Sequence, residues 1–234
     1  MPFPYLDENQ SVRFPSLDEA TPEGVVAVGG NLSPGMLLSA YRQGIFPWFS
    51  DDEEPILWWS PDPRYVLFVD ELSVPKRLTR SLKKLPFDIT FDSAFNAVIR
   101  SCATVFRPRE MGTWITAEMF RAYTRLHELG YAHSVEAWRD GELAGGLYGV
   151  CLGGVFYGES MFHRTTNASK AAFVALVRGL EAHGVRLIDC QMETPLLSSF
   201  GARYIPREEF AGHLIALLAE ETRRGSWKSW SPAS

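Results

Sequence analysis

The chain has 234 residues, of which 46% are hydrophobic and 22% are charged, with a formal net charge of −5. These values are ordinary for a globular protein, and the acidic balance excludes a uniformly basic nucleic-acid binder, although it allows a local basic patch. The three cysteines form no paired motif, which favours a reducing compartment. No apolar run reaches the roughly 18 residues that span a bilayer, and no signal-peptide pattern is found. We therefore expect a soluble, cytoplasmic protein.

The first sixty residues are rich in proline, glycine and tryptophan, and they contain one clear helix signal. Ser33 is typical of an N-cap, Pro34 of the first helical position, and Gly44 of the left-handed residue that ends a helix. The proline-rich segment 60–63 then breaks regular structure. We predict a small N-terminal domain over residues 1–62 and a larger domain over residues 63–234.

Beyond that boundary, strand and helix patterns alternate. Period-two patterns predict strands over 65–69, 132–138, 142–150 and 154–160, with a last strand over 185–192. Asp140-Gly141 and Gly153-Gly154 are typical of hairpin turns between the three central strands. Helical patterns cover 75–84, 92–102, 116–129 and 168–183. A strand meander followed by a helix and a strand predicts a mixed α/β fold that is similar to acetyltransferases, an analogy of fold and not of chemistry.

Two polar side chains lie in the last predicted strand, which is otherwise apolar. Because side chains alternate along a strand, Asp189 and Gln191 share one face with Leu187. A carboxylate and an amide inside a buried strand are costly unless they are paired or used. They would suit gripping a reacting centre, or they would belong to a hydrogen-bond network that holds a loop. The spacing alone leaves both interpretations open.

A second candidate carboxylate is Glu159, within the segment 158–162. That segment is not the nucleophile elbow of serine hydrolases, since Phe162 stands where the sharp turn needs glycine. Glu159 could hold a cationic amine, or it could be a solvated strand terminus. No glycine occurs over 163–168, which argues against a coenzyme A loop, and the five histidines are scattered. We therefore expect no cofactor and no metal.

The predicted helix over 75–84 concentrates positive charge in an otherwise acidic chain. A focused patch of this kind suits a phosphate backbone, whereas the ordinary explanation is a solvated helix face. The five cations of this basic helix are Lys76, Arg77, Arg80, Lys83 and Lys84. Four tryptophans have two possible roles, stacking on an adenine base or packing in the core. These are Trp48, Trp58, Trp59 and Trp114.

Eight ordered motifs are spread over nearly the whole chain. They are Val28-Gly29-Gly30-Asn31-Leu32-Ser33-Pro34, Gly44-Ile45-Phe46-Pro47-Trp48-Phe49, Trp58-Trp59-Ser60-Pro61-Asp62-Pro63-Arg64, Thr113-Trp114-Ile115, His133-Ser134-Val135-Glu136, Gly158-Glu159-Ser160-Met161-Phe162, Asn167-Ala168-Ser169-Lys170 and Leu187-Ile188-Asp189-Cys190-Gln191. Together they resemble the bacterial leucyl/phenylalanyl-tRNA–protein transferase family. Leu176 and Leu180 stand where aromatic residues can occur in that family, which leaves the preference for leucine or phenylalanine open.

The resemblance implies an aminoacyl transfer. Members of this family move leucine or phenylalanine, and methionine less well, from aminoacyl-tRNA to the N-terminal arginine or lysine of a protein. The product is then degraded through the N-end rule pathway. They need no metal or nucleotide cofactor, since the aminoacyl ester is already activated. The resemblance further implies a monomer without membrane attachment.

On this basis we assign substrate contacts in this chain. The aminoacyl side chain should enter an apolar pocket, and Glu159, near Trp114, is the candidate that holds the free α-ammonium group. Ser160 is a further predicted substrate contact. The terminal adenosine should stack near Trp48 or Trp114. The predicted pocket residues are Leu147, Phe156, Leu176, Leu180 and Ile188.

The resemblance also gives roles to the polar pair and to the basic helix. Asp189 should hold the acceptor amine or draw off its proton, as an electrostatic partner or a general base. Gln191 should align the amine or the ester carbonyl. The basic helix should contact phosphates of the tRNA acceptor stem without reading its sequence.

Overall fold

The structure is a computed structural model that describes residues 3–49, 51–84, 86–105 and 115–231. The helices in these ranges are α1 (Pro34–Arg42), α2 (Lys76–Lys84), α3 (Phe95–Thr104), α4 (Ala117–Glu128), α5 (Ala168–Ala182), α6 (Pro195–Ser199) and α7 (Arg207–Leu217). The strands are β1 (Val25–Val28), β2 (Phe46–Pro47), β3 (Leu57–Trp59), β4 (Arg64–Phe68), β5 (Asp88–Phe91), β6 (Ala132–Arg139), β7 (Glu142–Leu152), β8 (Val155–His163), β9 (Leu187–Gln191) and β10 (Arg203–Ile205).

Strand pairing builds two sheets from the described residues. A three-stranded sheet has the order β1-β3-β2, and a seven-stranded sheet has the order β10-β4-β9-β8-β7-β6-β5. Neighbours in the large sheet are antiparallel except β8 and β9, which run parallel and are connected by α5. The predicted mixed α/β class, with an N-terminal part ahead of a larger C-terminal part, is confirmed.

The central meander forms where its local signals predict it. Asp140 and Gly141, with φ values of 54° and 78°, make the turn between β6 and β7. Gly153, with a φ of 53°, turns β7 into β8, and a Cβ there would lie 2.3 Å from the carbonyl oxygen of Leu217. Thr116 caps α4, since its hydroxyl accepts a hydrogen bond from the Met119 backbone nitrogen at 3.2 Å. These elements follow from short stretches of sequence.

The large sheet separates two buried clusters, because alternate side chains of a strand point to opposite faces. On one face, Tyr157 and Leu187 belong to a cluster with residues of α1, α3, α4 and α7. On the other face, Phe156 and Ile188 belong to a cluster with α5. The first cluster also contains Trp58 of the small sheet, so it runs through both predicted domains. A domain boundary after residue 62 therefore stays a prediction.

The helix predicted over 92–102 begins only at Phe95, and that prediction of its start is wrong. Asp92 has a φ of 50°, which is incompatible with a helix, and its buried carboxylate serves the turn instead. It accepts hydrogen bonds from the backbone nitrogens of Ser134 at 2.9 Å and Trp227 at 2.7 Å. It also lies 3.0 Å from His133 Nδ1. Asp92 is predicted to start the helix, but its carboxylate instead connects the segments around Ser134 and Trp227 by hydrogen bonds.

Both edge strands of the large sheet escape prediction. The strand predicted as the last one, over 185–192, is β9, and it is followed by β10. β5 and β10 have four and three residues, too few to display a period-two pattern. They exist because β6 and β4 offer backbone groups for pairing, which is a tertiary effect.

Candidate active site

A cavity of about 230 Å³ lies among β7, β8, β9, α5 and the segment that leads into α6. Its walls are largely apolar, and their polar members include Glu159, Ser160, Gln191 and Thr194. Pockets that take a drug-sized ligand or a cofactor hold about 300–1,000 Å³. The smaller volume here suits a single apolar side chain with a polar group at its edge.

The cavity opens where two parallel strands separate. β8 and β9 pair as far as Tyr157 and Asp189, and the described residues form no later pair between them. Just beyond, the register of β8 against β7 shifts and leaves Glu159 as an extra residue. The register of β9 against β4 likewise shifts and leaves Cys190 without a partner position. Bulges re-aim side chains and end pairing, so two adjacent bulges create both the opening and its polar edge.

Glu159 lies at this edge among donors that carry no charge. The Tyr41 and Tyr123 hydroxyls donate to its two carboxylate oxygens at 2.7 and 2.9 Å, and they also contact each other. The Gln191 side-chain nitrogen donates to Oε1 at 3.3 Å. Burial raises the pKa of Glu159 to about 7, although the hydroxyl hydrogen bonds favour the anion. This carboxyl group therefore changes charge near neutral pH.

Asp189 has a full cationic partner instead. Arg64 donates from Nε and Nη2 to the two Asp189 oxygens at 2.8 and 2.6 Å, and both side chains have 0% exposure. The Arg64 guanidinium also lies over the rings of Phe46 and Phe210, at 4.7 and 4.8 Å from their centroids. Asp189 is not among the residues that line the cavity. Its carboxylate lies behind the cavity wall.

Gln191 connects the two carboxylates. Its backbone nitrogen donates to Asp189 Oδ1 at 3.0 Å, while its side chain lines the cavity and reaches Glu159. Gln191 has a φ of 62°, the left-handed region that a residue with a side chain rarely adopts. Simple strand alternation therefore fails at this position, and the predicted shared face with Asp189 does not describe how the pair meets.

Most of the predicted pocket and polar residues are brought together. Those that line the cavity are Leu147, Phe156, Glu159, Ser160, Leu176, Ile188 and Gln191. Further lining residues absent from the prediction include Met161, Phe173, Cys190, Met192, Thr194 and Leu197. Several of these follow β9, in a segment whose approach to the cavity depends on tertiary packing. The roles of all these residues stay predictions.

Some predicted residues lie elsewhere. Leu180 is fully buried in the cluster with α5 and does not line the cavity. Trp48 is 38% exposed and packs on Trp59, with ring centroids 5.7 Å apart, also away from the cavity lining. Trp58 is a core residue. Trp114, proposed for the adenosine and for the neighbourhood of Glu159, lies outside the described residues.

The basic helix is α2, and it presents its charge to solvent. Leu78 is its one buried residue, and the five cations at positions 76, 77, 80, 83 and 84 are all exposed. None of the five forms an ion pair with a residue that the structure describes. Ser81 accepts a hydrogen bond from Asn167 at 3.1 Å, which links α2 to the start of α5. Within the described part of the chain, the patch is therefore uncompensated, and it is fixed to the body of the protein.

Two further features concern the same described ranges. They contain no group of three or more histidine, cysteine, aspartate or glutamate side chains that could hold a metal ion. They contain no helix that is long and apolar enough to cross a membrane. The absence of a cofactor stays a prediction.

Three residues of the site were missed from sequence. Arg64 stands at the start of an apolar strand, and a charged residue at such a position indicates that it is buried and paired. The sequence does not show the partner, because Asp189 is 125 positions away. Tyr123 shares the apolar face of α4 with Met119 and Leu126, so its spacing indicates core packing and hides its hydroxyl. Tyr41 is hidden in the same way on α1.

The fold and the site define a mixed α/β protein with an apolar cavity the size of one side chain. The carboxyl group at the edge of this cavity has a pKa of about 7. A family model described as leucyl/phenylalanyl-tRNA protein transferase matches residues 66–215, and one described as the N-terminal domain of that transferase matches residues 30–62. The chain belongs to the leucyl/phenylalanyl-tRNA protein transferase family. This confirms the resemblance drawn from the motifs.

Individual relatives agree with this assignment. A leucyl/phenylalanyl-tRNA–protein transferase of Nitrosospira multiformis is 57% identical over 216 residues, which cover 92% of either chain. Another, of Syntrophus aciditrophicus, is 55% identical over 216 residues, which cover 92% of this chain and 90% of that protein. Among solved structures, that of L-PGS from Bacillus licheniformis matches 70% of this chain and 58% of that chain, with a TM-score of 0.38 and 9% identity.

Proposed function

We propose that this protein transfers leucine, phenylalanine and, less well, methionine from aminoacyl-tRNA to the N-terminal arginine or lysine of acceptor proteins, which marks them for degradation through the N-end rule pathway. Membership of the transferase family over both parts of the chain supports the reaction. Because the reaction consumes charged tRNA, we place it in the cytoplasm, with the protein acting as a monomer.

The apolar cavity of about 230 Å³ is the observation that carries this proposal. It takes an unbranched or γ-branched side chain by shape, and it disfavours β-branched side chains by fit, at about 1–3 kcal/mol per misplaced methylene. We expect Leu147→Trp, which fills the cavity, to abolish leucine transfer. The matched control is Ile215→Trp, because Ile215 of α7 is 80% exposed and does not line the cavity. Unchanged transfer by Leu147→Trp would remove the cavity from the proposal.

Glu159 is proposed to hold the free α-ammonium of the aminoacyl group. Glu159 lines the cavity beside its apolar walls, which supports this proposal for the amine of a bound leucyl ester. A charge-assisted hydrogen bond would then distinguish free from blocked aminoacyl-tRNA. N-acetyl-leucyl-tRNA should therefore be a poor donor for the wild-type protein. Equal transfer from acetylated and free leucyl-tRNA would contradict this role.

Gln191 is proposed to align the attacking amine or the ester carbonyl, with Asp189 supporting it. The Asp189 oxygens already accept two hydrogen bonds from Arg64 and one from the Gln191 backbone. We therefore propose that Asp189, which does not line the cavity, acts as an electrostatic partner and does not itself remove the proton of the acceptor amine. Orientation of a pre-activated ester supplies much of the rate on this account.

The basic helix α2 is proposed to bind phosphates of the acceptor stem. A plot of log K for tRNA binding against log[salt] has a negative slope, and each phosphate contact that is lost reduces the magnitude of this slope by about one. Arg80→Glu with Lys84→Glu should therefore weaken tRNA binding and flatten its salt dependence. The matched control is Arg121→Glu with Arg125→Glu on α4, two exposed arginines that pair with Glu118 and Glu128. Equal salt dependence in both double variants would make α2 an ordinary solvated face.

One assay tests the proposed function directly. The protein is incubated with radiolabelled leucyl-tRNA and a peptide that begins with arginine, and the label is followed into the peptide. A peptide of the same sequence with an acetylated N-terminus is the matched control, because its amine cannot attack. Tight tRNA binding without labelled peptide would indicate a non-catalytic RNA-binding adaptor. Transfer from an acyl-coenzyme A in place of the tRNA would indicate a small-molecule acyltransferase.

A further inference from the structure

Arg64 is the most deeply buried cation among the described residues, and the proposed function gives it no role. It opens β4, has 0% side-chain exposure, and binds both oxygens of Asp189. Its remaining nitrogen, Nη1, has no hydrogen-bond partner among the residues that the structure describes. Apart from Asp189, the guanidinium is held by the two aromatic rings of Phe46 and Phe210.

A buried ion pair of this kind is weak evidence for stability, because desolvation offsets much of the attraction. Apolar residues of similar volume would often serve folding equally well. The pair does, however, fix one feature beside the cavity. Asp189 Oδ1, held by Arg64 Nε, also accepts the backbone N–H of Gln191 at 3.0 Å. Gln191 is the residue with the left-handed φ of 62°.

A side-chain-bearing residue keeps such a conformation only where its surroundings determine it. At Gln191 the conformation sends the carboxamide to Glu159 and the cavity wall, and the hydrogen bond to Asp189 holds it there. The chain of contacts therefore runs from Arg64 to Asp189, to the Gln191 backbone, and to the Gln191 carboxamide. Arg64 itself does not line the cavity.

We propose that Arg64 is a positioning residue for the transfer reaction: through Asp189 it holds the Gln191 backbone in the conformation that brings the carboxamide to the cavity, and it touches neither substrate. This inference rests on the proposed function. The positioning role requires an arginine in particular. A planar guanidinium engages both carboxylate oxygens and packs on aromatic faces, whereas a lysine ammonium makes a single point contact.

The first test compares Arg64→Lys with Arg203→Lys. Arg203 is a matched control, because it also donates twice to one carboxylate, that of Glu71, and lies over the Phe68 ring, but both members of this ion pair are 46% exposed. Arg64→Lys should lower kcat at least about tenfold, with KM for leucyl-tRNA within about twofold of wild type. Arg203→Lys should leave both constants unchanged. A raised KM with unchanged kcat in Arg64→Lys would overturn the inference, since Arg64 would then act on binding.

The second test separates positioning from folding. Arg64→Met with Asp189→Leu replaces the pair by apolar side chains, which keeps the fold without leaving a buried charge. This double variant should unfold at a denaturant concentration close to that of wild type, yet turn over at least about tenfold more slowly. Turnover within about threefold of wild type in the folded double variant would make the pair structural only.

Two further readouts do not depend on a single rate. Methylguanidinium added to Arg64→Ala should restore part of kcat, and methylammonium should not, because only the former offers the two-pronged donor. Amide hydrogen exchange at Gln191 should accelerate in Arg64→Lys and stay slow in Arg203→Lys. The exchange measurement needs no activity, so it distinguishes failure of this inference from failure of the proposed function. Unchanged exchange in Arg64→Lys would overturn it.

Discussion

Glu159 and Asp189 lie on neighbouring parallel strands, within reach of the same glutamine, yet their surroundings are opposite. Asp189 is completely buried and bound on both oxygens by Arg64. Glu159 borders the cavity and receives hydrogen bonds only from hydroxyl and amide groups among the described residues. One carboxylate has a permanent countercharge, and the other has none among the residues that the structure describes.

The difference teaches how one sheet can keep two acidic groups for two purposes. A cationic partner secures the charge of a buried carboxylate, and it also occupies the oxygens that a substrate would need. Neutral donors leave burial as the dominant influence, and the pKa of Glu159 rises to about 7. The group without a countercharge is therefore the one suited to meet an amine from outside.

The sharpest test of the contrast is Asp189→Asn. It leaves Arg64 buried without its countercharge, so the free energy of unfolding should fall by about 3–5 kcal/mol. Turnover should fall at least about tenfold, with tRNA affinity nearly unchanged. Urea unfolding and leucine transfer measure the two effects. The matched control is Glu71→Gln, which breaks an exposed pair worth about 0–1 kcal/mol. Equal unfolding midpoints for the two variants would break the comparison.

Gln191 joins the two carboxylates, and its variants separate strain from function. Gln191→Ala and Gln191→Gly should each lower turnover at least about tenfold, because both lose the carboxamide. Gln191→Gly should nevertheless be more stable than Gln191→Ala by about 1 kcal/mol, since glycine adopts a positive φ without strain. Thermal unfolding of the two variants gives this difference. Equal stability would mean that the conformation at this position costs nothing.

Replacement of Glu159 should change the dependence of stability on pH. Its pKa rises from the ordinary 4.5 to about 7 in the folded protein, so the folded state retains a proton that the unfolded chain releases. This group therefore makes the wild-type protein less stable as the pH rises from about 4.5 to about 7. Glu159→Gln should remove that part of the slope and cost little stability at neutral pH. Urea midpoints at several pH values measure it, and identical slopes would contradict the pKa.

The smallest expected effect concerns the hydroxyls around Glu159. Tyr123→Phe removes a donor that favours the anion, so the pKa of Glu159 should rise further, by up to about one unit. Carboxyl carbon chemical shifts followed over pH report this value. Tyr157→Phe is the matched control, because the buried Tyr157 hydroxyl donates to the Tyr41 carbonyl oxygen and not to Glu159. A lowered pKa in Tyr123→Phe would reverse the assigned role of the hydroxyl.

Local sequence predicts the central part of the fold well. The turns at Asp140-Gly141 and Gly153 and the cap at Thr116 depend on a few consecutive residues, and the structure has them where expected. Leu147, Phe156 and Leu176, which the family resemblance assigns to the pocket, do line the cavity, although their contact with substrate stays a prediction. Helical and strand periods are properties of short windows, so they survive without knowledge of the partners.

The features of the site that local sequence does not predict depend on tertiary contacts. Arg64 has a meaning only once β4 pairs with β9, and the bulges at Glu159 and Cys190 appear only in the register of neighbouring strands. Tyr41 and Tyr123 read as core residues until their hydroxyls are seen to meet at one carboxylate. The motifs do locate most of the cavity, but periodicity cannot show which of two acidic residues is exposed to a substrate.

The position of β4 in the large sheet has a consequence for synthesis of the chain. Its two neighbours, β9 and β10, both come far later in the sequence, and Asp189 follows Arg64 by 125 positions. A ribosome that adds about 5–20 residues per second needs about 6–25 s to cover that interval. Throughout this time an apolar strand that opens with an unpaired arginine waits without either neighbour. It is a segment that chaperones would be expected to protect during translation.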